Sequence, residues 1–339
     1  IAALNAGHIR GLPYYALEDS RLRFFGGTAA IWGGRCAELD DIDFEFRDWV
    51  PHSGWPFGKA TLAAYYAEAR RQLNLSDRAL DARLWREFGV EPPRFGEGVL
   101  STVFWQFDDH WDRFGYAANR DLLDHPDVTV LLHASVTNIH LNEAGSAADS
   151  VELGSLNGCR GRIQAKAFVL AAGGLENPRL LLASRARQSN GVGNDHDVVG
   201  RYFMEHPHAR GGRLHVRRLW DTLKTFRSTH WSAGQRYAAC LRPDDGVQRE
   251  LRILNSSFTP RVRPHPQAAR DVMGRIYKSI KERAAPTRQA RTLWQMTRST
   301  NRFLKRASDP LRPWLRVKRN RQGIYLSVRA EQAPNPLSR

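Results

Sequence analysis

The stretch AFVLAAGGLENPRLLLAS, residues 167–184, constrains the fold more than any other part of the chain. Its nearly unbroken apolar run at 167–172 has the character of a strand buried on both faces of a parallel sheet. Gly173 and Gly174 break the run, Pro178 suits the first turn of a helix, and Leu180, Leu181 and Leu182 carry that helix on. Strand, glycine turn and helix in this order point to an α/β fold. Glycines at such a turn let a phosphate or ribose approach the backbone, and the helix start favours negative charge.

A second glycine-rich stretch, FGGTAAIWGGRC at 25–36, sets two glycine pairs around Trp32, behind the basic and aromatic run RLRFF. Gly26, Gly27, Gly33 and Gly34 can adopt positive φ and turn backbone N–H groups toward pyrophosphate oxygens. Arg23 adds charge nearby, and Trp32 is suited to lie beside an aromatic ring. Taken alone, the motif reads equally as a glycine-rich surface turn with one core tryptophan.

Elsewhere the patterning alternates between helix and strand. Residues 53–75 predict an amphipathic helix, with Leu62, Tyr65, Tyr66, Ala69 and Leu73 at helical spacing and Pro56 just ahead. A loop-rich stretch holding Trp85, Trp105 and Trp111 follows, and it reads as a covering segment. From Val128 the pattern predicts short strands: VTVLL, SVTNIHL, then VEL and RIQA beyond a turn at 142–148. After His208 the segments GRLHVRRL, QRYAACL and RILNSSF predict strands, 266–307 a basic helical region, and GIYLSVRAEQ a returning strand. This later part reads as a sheet with helices laid on it.

The 339 residues allow about two domains. The formal charge of +16 invites a nucleic-acid reading, but its distribution argues against one. Residues 261–322 hold 18 Lys and Arg against Asp271, Glu282 and Asp309, a net +15, so the excess is local. Within it, RTLWQMTRSTNRFLKRA fits either a helix lying on anionic lipid or the solvated face of a helix packed on the sheet. No apolar run is long enough for a membrane span. Cys36, Cys159 and Cys240 are far apart with no CxxC spacing, which suits a reducing compartment, so a cytoplasmic or membrane-peripheral location is expected.

Four stretches in order resemble the glucose-methanol-choline (GMC) oxidoreductases, FAD-dependent enzymes that oxidise alcohols and sugars. RxFGGTAAIWGG resembles the first signature loop, with Trp32 where Asn or His is more usual. GGLENPRLLLAS resembles the second signature, departing at Asn177, where Ser or Thr is usual, and at Arg185, where Gly is usual. VVGRYFMEHPH resembles the segment that closes the flavin domain, and EQAPNPLSR the run before the C-terminal catalytic portion. The WGG form with SGWPF and YY is most similar to the bacterial sugar and polyol dehydrogenase branch, akin to pyranose oxidases.

The resemblance implies an incomplete Rossmann-type FAD-binding domain at 1–208, assembled from 1–58 and 127–208 around an insertion at about 59–126. An incomplete, mixed sheet-and-helix substrate domain would occupy 209–339. By that resemblance Gly26, Gly27 and Thr28 touch the FAD pyrophosphate, while Trp32, Gly33, Gly34 and Cys36 line the isoalloxazine side. The backbone of Val136 meets adenine, and Ala172 and Gly173 contact the adenosine half. Ile31 stands where flavin-linking members carry a His; an aliphatic side chain cannot form that bond, so non-covalent FAD is implied. Neither the GxGxxG turn nor the paired C-terminal His of the family occurs in the 339 residues, so no catalytic residue is assigned and the chain reads as the middle of a longer enzyme.

The function so implied is hydride transfer from the CH–OH group of an alcohol, sugar or polyol to flavin N5, with a quinone, a cytochrome or oxygen as electron acceptor. The alternative is a non-catalytic truncated relative that binds an anionic partner, a membrane surface or nucleic acid, through 261–322. A nicotinamide fits the WGG loop less well than a flavin ring. Of the other titratable groups, His206 and His208 lack spaced partners for a metal site and read as packing. His133 and His140 read as strand residues, His52 lacks the setting of a hydrolase nucleophile elbow, and Asp108 and Asp109 read as a solvated loop.

Overall fold

A computed structural model describes residues 2–11, 14, 16–93, 98–110, 113–263, 300 and 303–339. The strands are β1 (Arg35–Cys36), β2 (Leu100–Phe107), β3 (Ser135–Leu141), β4 (Ala148–Gly154), β5 (Arg160–Gln164), β6 (His208–Leu214), β7 (His230–Ser232), β8 (Gln235–Pro243), β9 (Ser256–Arg263) and β10 (Gly323–Ala330). The helices are α1 (Leu17–Ser20), α2 (Ala63–Gln72), α3 (Ala82–Glu87), α4 (Arg120–Leu123), α5 (Gly173–Ala183), α6 (Leu219–Thr225), α7 (Asp245–Glu250) and α8 (Leu311–Lys318). They form two compact units, one of residues 1–32, 110–204 and 334–339, the other of 33–109 and 205–333. This division differs from the expected one: residues 33–58 go with the second unit, and the chain passes between units inside the WGG motif.

In the first unit β3, β4 and β5 form an antiparallel sheet. One face buries Ile139 and Val151 against Leu180 of α5, with Val136, Leu153, Phe168, Leu170 and Leu181 around them. Ser184 fastens the end of α5 to this sheet. Its wholly buried hydroxyl donates to Leu180 O at 2.8 Å and accepts from Ile139 N at 2.9 Å. Without it the Ile139 N–H would lie buried and unpaired, a loss of about 1–3 kcal/mol.

The run at 167–172 is not the doubly buried parallel strand that its composition suggests. Every pairing among the described strands is antiparallel, and none lies beside this run. Phe168 and Leu170 pack inward while Val169 is 89% exposed, so the run alternates sides as extended backbone does. Pro178 also stands later than expected, sixth in α5 rather than in its first turn. VTVLL is not a strand either; its exposed Val130, Leu131 and Leu132 lie in irregular chain. His133 sits in the bend ahead of β3 at φ 55°, rather than in a strand, whereas His140 is in β3.

The second unit is built on a seven-stranded antiparallel sheet of order β1-β2-β8-β9-β10-β6, with β7 beside β8. One face packs Phe104, Tyr237, Ala239 and Leu241 against Leu84 and Trp85 of α3 and Phe226 beyond α6. Trp85 and Phe104 rings meet at 4.1 Å. The predicted cover at 85–111 is thus part of this core: LSTVFWQF is a central strand, its alternation of β-branched and aromatic residues outweighing the polar flanks. Trp111 lies outside the described residues. Asp108 and Asp109 are not a solvated pair, since Asp108 is buried and Asp109 binds Arg236 Nε at 2.7 Å.

The predicted helix at 53–75 is observed as a short 3-10 turn at Lys59–Leu62 followed by α2; Tyr66 and Leu73 are half-buried, but Tyr65 points out. Strands at 208–214, 235–243, 256–263 and 323–330 match the later expectations, shifted by several residues at β6 and β9. Most of the basic region at 266–307 lies outside the described residues. After it, and still within the charged stretch 261–322, α8 rests Trp314 edge-on against Trp220 at 6.2 Å, and Lys318 lies over the Trp314 ring at 6.0 Å. No helix among the described residues is long and apolar enough to cross a membrane.

Just beyond β10, burial raises the Glu331 carboxyl to about 7, with Asp43 and Asp40 adding to the rise and Arg47 opposing it. A carboxyl raised in the folded state favours folding most below its unfolded pKa and loses that contribution as pH climbs through the folded value. Stability should therefore fall between about pH 4.5 and 7 from this group. Glu331→Gln should flatten that slope, and a carboxyl resonance titrating near 4.5 instead would contradict the assignment.

Candidate cofactor site

In the first unit the two glycine-rich stretches meet through one carboxylate. Glu176, in the first turn of α5 and 7% exposed, lies 155 residues from Arg21 in sequence. It accepts from Arg21 Nε at 2.9 Å and Nη2 at 2.5 Å, and pairs with Arg23 Nη2 at 2.9 Å. Arg179 Nε donates to its other oxygen at 2.6 Å. Burial alone would push this carboxyl up; the hydrogen bonds from Arg179 and Arg21 and the charge of Arg23 outweigh it and hold the carboxyl down at about 2. Arg23 Nε also donates to the buried Asn5 at 2.6 Å, and Asn5 returns a bond to Arg21 O at 3.1 Å.

The RLRFF run thus places its arginines on Glu176, and the backbone behind it turns tightly. Gly26 and Gly27 both have positive φ, 85° and 53°. A Cβ at Gly26 would stand 2.0 Å from Phe114 O, so only glycine fits against that carbonyl. Thr28 holds the turn by accepting from Leu22 N at 3.0 Å, and Gly27 N donates to Phe24 O at 2.8 Å. Trp32 is 37% exposed with its ring 6.0 Å from that of Phe114, and Ile31 is 63% exposed.

The start of α5 is the second element. Gly173 has φ +88°, and a Cβ there or at Gly174 would meet nothing within 4 Å. Asn177, where Ser or Thr was expected, accepts from Ala172 N at 2.9 Å and donates to Leu170 O at 3.0 Å. The Ala172 N–H is therefore engaged within the fold. Val136 is in β3 opposite Leu153, its side chain packed toward the Ile139 cluster.

Of the eleven predicted residues, Arg23, Gly26, Gly27, Thr28, Trp32, Val136, Ala172 and Gly173 belong to the first unit, and Gly33, Gly34 and Cys36 to the second. In the second, Gly34 has φ +69° with its carbonyl accepting from Asp108 N at 2.7 Å. Cys36 is half-buried in β1, its thiol 3.4 Å from Gly34 O. Sequence reasoning passed over Arg21, Glu176 and Asn177. The available signal was an acidic residue in the first turn of a helix, where it favours the N-terminal dipole, together with two arginines spaced to reach it.

Residues 113–208 match the family described as GMC oxidoreductase. That span contains β3, β4, β5 and α5. The match agrees with the resemblance that the signature stretches carry. The chain is 37% identical over 251 residues to 2-methyl-1,2-propanediol dehydrogenase of Mycolicibacterium austroafricanum, covering 59% of this chain and 44% of that protein. It is also 51% identical over 47 residues to the fructose dehydrogenase large subunit of Gluconobacter japonicus, covering 14% of this chain and 9% of that subunit. The matches thus span less than half the length of these relatives.

Proposed function

We propose that the protein oxidises a CH–OH group of an alcohol, sugar or polyol with non-covalently bound FAD, the first unit holding the cofactor and the second the substrate. The observation that carries this reading is the Glu176 clamp, which joins the FGGTAAIWGG turn to the glycine start of α5. The residues present fit an FAD. Gly26 and Gly27 provide a turned backbone for the pyrophosphate, and the open space at Gly173 and Gly174 admits a ribose or phosphate beside a helix start. Arg23 acts through Glu176 as a positioning residue. By resemblance to the family, Trp32, Gly33, Gly34 and Cys36 would line the isoalloxazine side. Bound FAD supplies a hydride acceptor; the chain binds and orients it and keeps water out.

The match to the GMC oxidoreductase family over residues 113–208 supports this reading over a binding protein that works through the basic segment, as do the dehydrogenase names of both relatives. The test is to purify the protein from cells and measure its flavin. A yellow protein that releases intact FAD on acid precipitation is expected. Flavin retained in the precipitate would refute the non-covalent linkage, and a flavin-free protein that cannot be reconstituted with FAD would refute the reading itself.

A further inference from the structure

The face of the second unit's sheet opposite its aromatic core carries arginines among apolar side chains such as Val103, Phe107, Ala238 and Cys240. Cross-strand partners share a face. Arg35 lies opposite Phe107, Phe107 opposite Arg236, and Trp105 opposite Ala238. Leu241 opposite Phe258 fixes the next register, which sets Arg261 on the same side as Trp105; Ser257 opposite Arg329 extends that side to β10. Side-chain contacts agree. The Arg35 guanidinium lies 4.1 Å from the centre of the Trp105 ring, and that of Arg329 lies 5.9 Å from it.

Two arginines of this face are neutralised locally, Arg236 by Asp109 and Arg242 by Asp40. Arg35, Arg261 and Arg329 are all half-buried, and among the described residues none of the three forms an ion pair with a carboxylate. The Arg35 Nε is buried with no hydrogen-bond partner among the described residues. Burial, and then the charges of Arg329 and Arg261, lower the Arg35 guanidinium to about 10. Arg261 is lowered in the same way, by burial and by Arg263 and Arg329, against a smaller opposing effect of Asp309. Glu331, just beyond β10, is raised by burial and by Asp43 and Asp40, with Arg47 opposing. Three like charges held together out of water, one over an aromatic ring, oppose folding unless an anion joins them.

We propose that the sheet face formed by Arg35, Trp105, Arg261 and Arg329 binds an anionic group, carboxylate or phosphate, carried by the substrate. Guanidinium pairs recognise both groups through two parallel hydrogen bonds, and Trp105 offers a flat wall for the carbon skeleton between them. The proposal rests on the oxidoreductase reading for the word substrate, and it narrows that reading to hydroxy acids or phosphorylated alcohols.

The test is isothermal titration of the purified protein with glycerol, glycerate and glycerol 3-phosphate, which share one hydroxylated skeleton. At least tenfold tighter binding of one of the two anions than of glycerol is expected, weakening as salt is added. Arg329→Gln should erase the preference without lowering the unfolding temperature, because it relieves repulsion, and Arg35→Lys should weaken it while keeping the charge. Preference for glycerate identifies a carboxylate, and preference for glycerol 3-phosphate a phosphate. Equal binding of all three, or a preference that survives both substitutions, would overturn the proposal. Flavin content, measured on the same sample, separates the two ideas: a flavin-free protein that prefers anions defeats only the redox reading, and a flavoprotein indifferent to charge defeats only the anion site.

Discussion

Glu176→Gln should lower the stability of the first unit by about 3 kcal/mol at neutral pH, the cost typical of removing one member of a buried ion pair. The neutral amide keeps the shape of the side chain but leaves Arg21, Arg23 and Arg179 around a group with no charge, with Arg21 and Arg23 partly desolvated. The pH dependence gives an independent check. A carboxyl held at about 2 when folded and near 4.5 when unfolded contributes stability that is complete above about pH 4.5 and is lost as pH falls toward 2. The wild-type protein should therefore weaken steeply through that window, and Glu176→Gln should weaken less. Equilibrium urea unfolding at neutral pH and in the acid window measures both effects. A loss below about 1 kcal/mol would place the clamp among surface ion pairs of little consequence.

Gly26→Ala should be at least as damaging, by about 3 kcal/mol or more. Two costs add: the left-handed backbone, at φ 85°, and a methyl group placed 2.0 Å from Phe114 O, an atom of the main chain that cannot swing aside. Gly174→Ala is the matched control in the same unit. It lies in α5 with nothing within 4 Å of the new methyl group, and alanine favours helix by about 0.5–1 kcal/mol. Gly174→Ala should therefore hold or raise the urea midpoint while Gly26→Ala collapses it. If both variants unfold alike, the Phe114 contact does not limit position 26.

The two glycine stretches, the helix after Gly173, the hairpin strands from Ser135 and the strands of the later sheet were all legible as local patterns, because each is written in neighbouring residues. β2 was missed because Pro, Gly and Asp on either side of LSTVFWQF gave the region the look of a loop. The double burial expected at 167–172 failed for a related reason. An apolar run states that a segment can be buried, and only the presence of neighbours on both sides decides that it is.

The sequence by itself determined the family resemblance, the glycines that need unusual backbone, and the confinement of the positive charge to residues 261–322. Tertiary structure alone decided that Arg21 and Arg23 close on Glu176, 155 residues away from the first of them. It also decided that Asn177 takes the Ala172 N–H and that arginines from β1, β9 and β10 share one face. Local preference depends on a few adjacent residues and is read along the chain. Ion pairs and shared faces depend on strand order and register, which are set when the chain folds.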